Sequence, residues 1–251
     1  MADIHIVLQG KGGVGKSYIA SIIAQYCIEN KGKTDCYDTD PTNHTFTGYK
    51  ALKVEHVDIM EGDDVNQRRF DDMLEKIATT KAKNIVIDNG ASTFIPLASY
   101  IKSNDVFKIL SNLNHTVYIH TVVTGGQARN DTLTGFDAIA ESFGHQTKLV
   151  VWQNEYFGAV EKDGMPFTDM KVYAKNEAAV DSIVIIPELK RETFGQDVKD
   201  MLQDKETFDE RLKNPEVKFM EKQRLTEIKR QLFENMSVVY VEAREEELVE
   251  A

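Results

Sequence analysis

Short apolar runs and longer amphipathic stretches alternate along most of this chain. The apolar runs predict strands at Ile4–Gln9, Asp35–Thr39, Asn84–Asn89, Thr116–Thr124, Lys148–Asn154 and Ser182–Ile186. The stretches between them predict helices at Ser17–Glu29, Asn66–Thr80, Phe94–Ser103, Ala128–Phe143 and Thr193–Asp204. Strands that alternate with helices indicate an α/β fold, in which a mostly parallel twisted sheet carries helices on both faces.

Two of the predicted strands contain continuous apolar runs, Ile85–Ile87 and Leu149–Trp152. Such runs are typical of strands that are covered on both faces. Ligands of such sheets bind beyond the carboxyl ends of the strands. Polar residues at those ends are therefore the first candidates for a site. We treat Gly158–Met165, between two predicted strands, as a surface loop.

The C-terminal part of the chain has a helical period over residues 216–236, and an apolar stripe contains Leu225, Ile228, Leu232 and Met236. Basic residues surround the stripe, namely Lys218, Lys222, Arg224, Lys229 and Arg230. This pattern fits a helix packed on the domain with a solvated basic face, or a helix that binds a partner or a membrane. The acidic tail at 242–251 argues against an anionic membrane surface, which would repel its glutamates. We expect residues 1–251 to form a single domain.

Composition narrows the classes of function. The chain has 251 residues and a net charge of −11, so it is a poor non-specific binder of nucleic acid. Its two cysteines, Cys27 and Cys36, suggest no disulfide framework. No apolar run approaches the roughly 20 residues that span a bilayer, and the first strand begins too early to follow a signal segment. We expect a cytoplasmic protein.

The stretch LQGKGGVGKS carries the strongest chemical pattern. It matches G-x-x-x-x-G-K-[ST] and lies between a predicted strand and a predicted helix, the context that this motif requires. Backbone N–H groups of such a loop and the helix N-terminus hold phosphate oxygens. Lys16 is expected to reach the β- and γ-phosphates, and the Ser17 hydroxyl to reach Mg²⁺. The predicted nucleotide-binding residues here are Gly10, Lys11, Gly12, Gly13, Val14, Gly15, Lys16 and Ser17.

Three carboxylates lie at the ends of predicted strands or directly after them. Asp38 and Asp40 end the second strand, where one can hold metal-bound water and the other can orient or deprotonate the attacking water. Asp88 ends the wholly apolar run of its strand and is expected to reach Mg²⁺ directly or through water. The alternatives are ordinary turn-forming residues at strand ends and, for Asp88, a cap of the next turn.

Asn154 ends one further predicted strand, and Pro187 follows another. An asparagine amide can match a purine edge because it both donates and accepts hydrogen bonds. Without further context, each is also an ordinary turn residue.

With its early lysine, Lys11, the loop resembles the deviant Walker A motif of the ParA/MinD family of ATPases. That resemblance implies ATP and Mg²⁺ as ligands and an ATP-dependent homodimer, in which Lys11 reaches the partner's nucleotide. It also implies that Asp40 positions the hydrolytic water, that Asp88 begins switch II, and that Asn154 and Pro187 hold the base. The match covers roughly residues 4–204.

The chain departs from the family pattern at three places. Tyr18 stands where a second Thr or Ser is usual, Asn89-Gly90 replaces a proline-containing switch II, and Pro41-Thr42 replaces the common Pro-Gln. Within the family, the stretches MADIHIVLQGKGGVGKS, DTDPTNHTFTGYKAL and IMEGDDVNQRRFD are most similar to TraL-type ATPases of conjugative plasmids. That similarity implies a switch acting beside a type IV secretion apparatus.

Other classes of function remain open. A P-loop small-molecule kinase needs its own acceptor pocket and base, and Lys11 argues against it. An iron–sulfur ATPase needs surface-loop cysteines, whereas Cys27 and Cys36 lie in a predicted helix and strand. A bacterial tyrosine autokinase needs a tyrosine-rich tail, and Tyr240 is the one tyrosine near this C-terminus. A nucleotide sensor that does not hydrolyse ATP needs only the binding loop.

Overall fold

The central sheet has seven parallel strands. A computed structural model describes residues 1–61, 64–66 and 68–240. The strands are β1 Asp3–Val7, β2 Thr34–Asp38, β3 Glu55–His56, β4 Met60–Glu61, β5 Asp64–Val65, β6 Asn84–Asp88, β7 Thr116–Thr124, β8 Lys148–Asn154, β9 Glu161–Lys162, β10 Met165–Pro166 and β11 Val180–Ile186. The main sheet has the order β11-β8-β7-β1-β6-β2-β3, while β4–β5 and β9–β10 form separate antiparallel pairs.

Helices connect most of the main strands. They are α1 Lys16–Asn30, α2 Arg68–Thr79, α3 Phe94–Ser103, α4 Val106–Asn112, α5 Arg129–Phe143, α6 Lys171–Asn176, α7 Phe194–Gln203, α8 Phe208–Lys213 and α9 Phe219–Ser237. Among the described residues, no helix combines the length and the apolar character needed to cross a bilayer.

Both faces of the sheet are buried. Alternate side chains of β1 point to opposite faces, so Ile4 and Ile6 join one apolar cluster and Val7 joins the other. The first cluster includes side chains of α2 to α5, and the second includes side chains of α1 and α7 to α9. The predicted α/β fold with helices on both faces is therefore confirmed.

The register of the sheet brings the carboxyl ends of its central strands to one edge. Val7 pairs with Asp88, which pairs in turn with Asp38 on the far side. On the other side of β1, the ends of β7, β8 and β11 are level, because Asn154 pairs with both Thr124 and Ile186. The candidate polar residues thus meet at this edge although they are distant in sequence.

Several short elements escaped the prediction. The interval Gly158–Met165, predicted as a loop, contains β9 and the start of β10. Asp163 and Gly164 both have positive φ, at 54° and 76°, which is typical of a two-residue hairpin turn. The strand β3 and the helices α4, α6 and α8 were also not predicted, since runs this short carry little periodicity.

The predicted C-terminal helix corresponds to α9, and its apolar stripe is buried: Leu225, Ile228, Leu232 and Met236. Two of its basic side chains pair with acidic ones on other elements, Arg224 with Asp197 and Lys229 with Asp209. The helix therefore packs on the rest of the chain. The acidic tail at 242–251 lies outside the described residues.

Candidate functional site

The glycine-rich loop lies between β1 and α1. Gly13 and Gly15 have φ values of 74° and 99°, a region that residues with a side chain rarely adopt. Asn154 lies against the loop, because a Cβ atom added at Gly15 would be 2.9 Å from its Nδ2. That Nδ2 donates a hydrogen bond to the carbonyl of Val14 at 3.0 Å. The end of β8 thereby fixes the shape of the loop.

The N-terminus of α1 opens on this loop. Its N-cap is Gly15, no side chain in the described part of the chain caps it, and its first turn contains no acidic residue. The free N–H groups and the helix dipole therefore favour an anion. Lys16, the first helical residue, donates from Nζ to the carbonyl of Lys11 at 3.0 Å. Burial lowers the pKa of Lys16, while Asp88 and Asp40 oppose this shift.

Asp88 and Ser17 form the innermost polar pair. Burial raises the pKa of Asp88 to about 7, and repulsion from Asp38 and Asp40 adds to this rise. A hydrogen bond from Ser17 and the charge of Lys16 act in the opposite direction. The Asp88 Oδ1 is buried without a hydrogen-bond partner among the described residues. A buried carboxylate oxygen beside a hydroxyl suits a divalent cation or its bound water. Ser17 and Asp88 thus fit the metal position that the sequence predicts.

Asp38 is fully buried, and unlike Asp88 it has hydrogen-bond partners at both carboxylate oxygens. Its Oδ1 accepts from the backbone N–H of Asp40 at 3.0 Å, and its Oδ2 accepts from the N–H and the hydroxyl of Thr47, each at 3.0 Å. Asp38 therefore fixes the loop 39–47 that carries Asp40. Across the described chain, no group of three or more His, Cys, Asp or Glu side chains converges as a metal site.

Asp40 lies at the mouth of the site, opposite Lys16. Its Oδ1 accepts from the backbone N–H groups of Thr42 and Asn43 at 2.9 and 3.1 Å. A Cβ atom added at Gly90 would lie 2.8 Å from its Cγ. The glycine therefore permits the close approach of Asp40 to the segment after β6.

Two neighbouring cavities border the glycine-rich loop. The first, about 600 Å³, is lined by the loop and by polar side chains that include Lys16, Ser17 and Asp40. The second, about 360 Å³, is more apolar and is lined by Asn154 and Pro187 among others. Both share the lining residues Gly13, Gly15, Tyr18, Leu202 and Lys205. Their arrangement suits phosphates in the first and a base in the second.

Tyr18 borders both cavities. Burial raises the pKa of its hydroxyl, and the neighbouring Tyr49 adds to this shift, so Tyr18 is a neutral group at ordinary pH. A phenol at this position replaces the short hydroxyl that the family pattern has there. Its place between the two cavities gives it a ligand-facing surface all the same.

Lys11 lies apart from these groups. Its Nζ is 2.6 Å from Oδ2 of Asp131, near the start of α5, and both side chains are largely exposed at 43% and 58%. In the described chain, Lys11 lines neither cavity. The structure therefore separates the two loop lysines: Lys16 faces inward and Lys11 faces outward.

Sequence reasoning missed several residues that line the cavities. They are Thr42, Asn43, Tyr156, Phe157, Lys199, Gln203 and Lys205. Thr42 and Asn43 directly follow DTDP, so the motif itself pointed to them. The others come from the loop after β8 and the region around α7, and no local pattern marks them.

We compared the chain with known proteins. No family model matches the chain. Two Escherichia coli proteins named TraL are 52% and 50% identical to it, over 96% and 95% of this chain and 100% of each relative.

Solved structures match at the level of the fold. A MinC:MinD cell division protein complex from Aquifex aeolicus gives a TM-score of 0.55 at 16% identity, covering 93% of this chain and 96% of the other. A putative plasmid partition protein from Borrelia burgdorferi, bound to AMPPNP, gives 0.50 at 14% identity, covering 91% and 98%.

Proposed function

Because this chain belongs to the TraL family and has the fold of the MinD and ParA type of P-loop protein, we propose that it is a Mg²⁺-dependent ATPase. It forms dimers with ATP and acts as a spatial or assembly switch in plasmid transfer. The observation that carries this proposal is the meeting of Lys16, Ser17 and Asp40 around one cavity that shares part of its lining with a second, while Asp88 accepts a hydrogen bond from Ser17. Residues 1–251 act as one P-loop ATPase domain, built on the sheet that both apolar clusters share.

Phosphate binding follows from the loop. Backbone N–H groups of residues 10–17 and the uncapped start of α1 surround the triphosphate, and Lys16 places its charge at the β- and γ-phosphates. The ligand replaces the carbonyl of Lys11 as the partner of the Lys16 ammonium. Transfer of that hydrogen bond to a phosphate strengthens it, because the acceptor becomes charged.

Magnesium is held at the inner end of the cavity. The Ser17 hydroxyl binds the cation and the Asp88 carboxylate holds it directly or through water, while Asp38 fixes the surrounding loop. When bound, the cation neutralises charge on the β- and γ-phosphates. Asp88 loses part of its burial penalty in this complex, because its unpartnered oxygen gains a positive neighbour.

Asp40 positions the attacking water. Two backbone N–H groups hold one carboxylate oxygen, so the side chain keeps a fixed direction toward the cavity. An ordered carboxylate can orient a water molecule and accept its proton, which contributes roughly 10²–10⁴-fold to a rate.

The second cavity receives the base. Asn154 holds the phosphate loop with its amide, so its role at the base is one of shape together with Pro187, Tyr156 and Phe157. Apolar and aromatic walls with few polar groups are typical of such a pocket. The AMPPNP of the Borrelia relative supports adenine as the base.

The site of action is the cytoplasmic side of a plasmid-transfer apparatus of the type IV secretion kind. The name of the Escherichia coli relatives supports this placement, as does the resemblance to conjugative-plasmid ATPases. The partner is a protein component of that apparatus, and hydrolysis is slow until the partner binds.

The test compares Mg·ATP binding and single-turnover hydrolysis in three variants. Lys16→Ala should lose productive ATP binding, because it removes the charge that faces the phosphates. Asp40→Ala should bind ATP but hydrolyse it roughly 10²–10⁴-fold more slowly. Lys83→Ala, at the opposite end of the sheet, removes the same charge and should change neither quantity.

Three results would count against the proposal. Normal ATP affinity in Lys16→Ala removes the site assignment. An unchanged single-turnover rate in Asp40→Ala moves the water-positioning role elsewhere, and absence of turnover with every partner leaves a nucleotide sensor.

A further inference from the structure

Asn89 is a fully buried asparagine directly after β6. Its Oδ1 accepts hydrogen bonds from the hydroxyls of Thr39 and Thr93, at 3.0 and 2.9 Å. Its Nδ2 donates to the carbonyl of Gly90 at 2.9 Å, which fixes the orientation of the amide because a reversed amide would set two carbonyl oxygens together. One side-chain oxygen thus joins two segments that are distant in sequence.

The first of these segments carries Asp40. Thr39 precedes it, and both the N–H and the hydroxyl of Thr39 contact the carbonyl of Asp88, at 2.9 and 3.1 Å. A hydroxyl has one proton, so the Thr39 hydroxyl divides it between Asp88 and Asn89. Any shift of Asn89 therefore changes how Thr39, and with it Asp40, is held.

The second segment leads into α3. Thr93 occupies the N-cap position of that helix, and its hydroxyl also lies 3.0 Å from the carbonyl of Gly90. Ala91 and Ser92, just before it, line the phosphate-side cavity. The two hydroxyls that meet at Asn89 therefore belong to the two sides of the same cavity.

Asn89 itself is not among the described residues that line either cavity. It acts through its neighbours: Asp40 packs against Gly90, where a Cβ atom would lie 2.8 Å from the Asp40 Cγ. A bond from Asn89 to each side therefore couples Asp40 to the start of α3 without touching the ligand.

We propose that Asn89 is a positioning residue that ties the Asp40 segment to the start of α3, so that both respond together to the γ-phosphate. This inference rests on the proposed ATPase function and adds a coupling within its site.

A purely structural role makes a different prediction. If each hydroxyl only satisfies a buried group, its removal lowers the free energy of unfolding but leaves the hydrolysis rate of the folded protein and the exchange at Thr42 and Asn43 unchanged. If both act through the one oxygen of Asn89, removal of either breaks the link, and removal of both does no further harm.

The first test measures single-turnover hydrolysis and ATP affinity in Thr39→Val, Thr93→Val and the double variant. Each single variant should lower the rate roughly tenfold, as the loss of one positioning bond does, with ATP affinity unchanged within about twofold. The double variant should be no slower than the slower single one. Thr39→Ser and Thr93→Ser keep the hydroxyls and should restore the rate.

The second test does not need hydrolysis. In the nucleotide-free protein, Thr93→Val should speed hydrogen exchange at the amides of Thr42 and Asn43, which Asp40 holds, by roughly three- to tenfold. Thr93 touches neither amide, and Thr93→Ser should leave them protected.

The outcomes separate this inference from the function it rests on. Additive rate losses, or unchanged exchange at Thr42 and Asn43 in Thr93→Val, overturn the coupling while the ATPase stands. If the wild type hydrolyses no ATP with any partner, the proposed ATPase function falls, and the exchange result alone decides whether Asn89 couples the two segments.

Discussion

At the scale of single residues, a chain of hydrogen bonds crosses the core between the sheet and the C-terminal end. Trp152 Nε1 donates to His120 Nδ1 at 2.9 Å, and His120 Nε2 lies 2.9 Å from His5 Nδ1. His5 Nε2 is 3.0 Å from the hydroxyl of Tyr240, which lies 3.4 Å from the Sγ of Cys27. The indole can only donate, so His120 Nδ1 carries no proton and each imidazole is neutral. Each imidazole then donates a hydrogen bond from its other nitrogen to the next group in the chain.

We predict that stability falls with acid because these two histidines resist protonation. Burial lowers the pKa of His5 to about 3 and that of His120 well below its usual value, with Lys31 adding to the shift at His5. Below about pH 6.5 these histidines bind protons in the unfolded chain but stay neutral in the folded chain. The free energy of unfolding should therefore drop as pH falls from 6.5, by up to about 1.4 kcal/mol per pH unit for each histidine.

Urea unfolding between pH 5 and 8 measures this slope. His5→Phe removes one of the two groups and should reduce the slope between pH 5 and 6, and the contribution should disappear above pH 7.5. Equal slopes in the variant and the wild type would assign the acid sensitivity to carboxylates instead.

At the scale of elements, α9 packs on the rest of the chain through an apolar stripe. Its buried stripe joins the apolar cluster that also contains side chains of α1 and α7. The ion pairs of Arg230 with Glu227 and Glu234 lie at the surface, where each is worth about 0–1 kcal/mol. The pair of Arg224 with Asp197 is largely buried. The helix therefore depends on the fit of its apolar side chains.

A matched pair of substitutions on α9 tests this. Leu232→Ala should lower the free energy of unfolding by about 2–5 kcal/mol, because it leaves a cavity beneath the helix. Gln223→Ala, exposed on the same helix, should stay within about 0.5 kcal/mol of the wild type. Urea denaturation gives both values, and similar losses in the two would mean that α9 is loosely packed.

The element scale also shows which signals the sequence holds and which it lacks. The helix α8 begins after a capping box, in which Thr207 and Glu210 bond to each other's backbone, and that spacing is visible in the sequence. The helix α4 follows Asp105, which has a φ of 49°. No pattern in the sequence predicted this conformation.

At the scale of the whole molecule, the proposed dimer gives the exposed Lys11 a role between two copies of the chain. Its ion pair with Asp131 is largely exposed and so costs little to break. Two subunits that meet across two ATP molecules bring polyphosphates together, and two lysines can offset that charge.

We therefore predict that a non-hydrolysable ATP analogue increases the dimer fraction of the wild type and has no such effect on Lys11→Ala. ATP binding by the monomer should survive, since Lys16 and the loop amides remain. Lys108→Ala, an equal change of charge on α4, should dimerise normally. Sedimentation decides it: dimers of Lys11→Ala at the wild-type level would reduce Lys11 to a contact within its own subunit.

Local sequence patterns determined much of this protein. The hydrophobic periods predicted β7, β8 and α3 at their observed limits, and the buried stripe of α9. The spacing in residues 10–17 predicted the loop between β1 and α1. These features depend on residues that are neighbours in the chain, so period and spacing carry them.

Tertiary structure alone decided the contacts between distant segments. Asn154 donates a hydrogen bond to the phosphate loop, and Asp38 accepts one from the backbone of the loop that follows it. Thr39 and Thr93 both donate to one oxygen of Asn89. Each contact requires strands in a given order and register, and a single sequence specifies which side chains alternate but not which strands become neighbours. The chemistry of the strand ends was therefore readable in advance, while their partners became definite only once the sheet had formed.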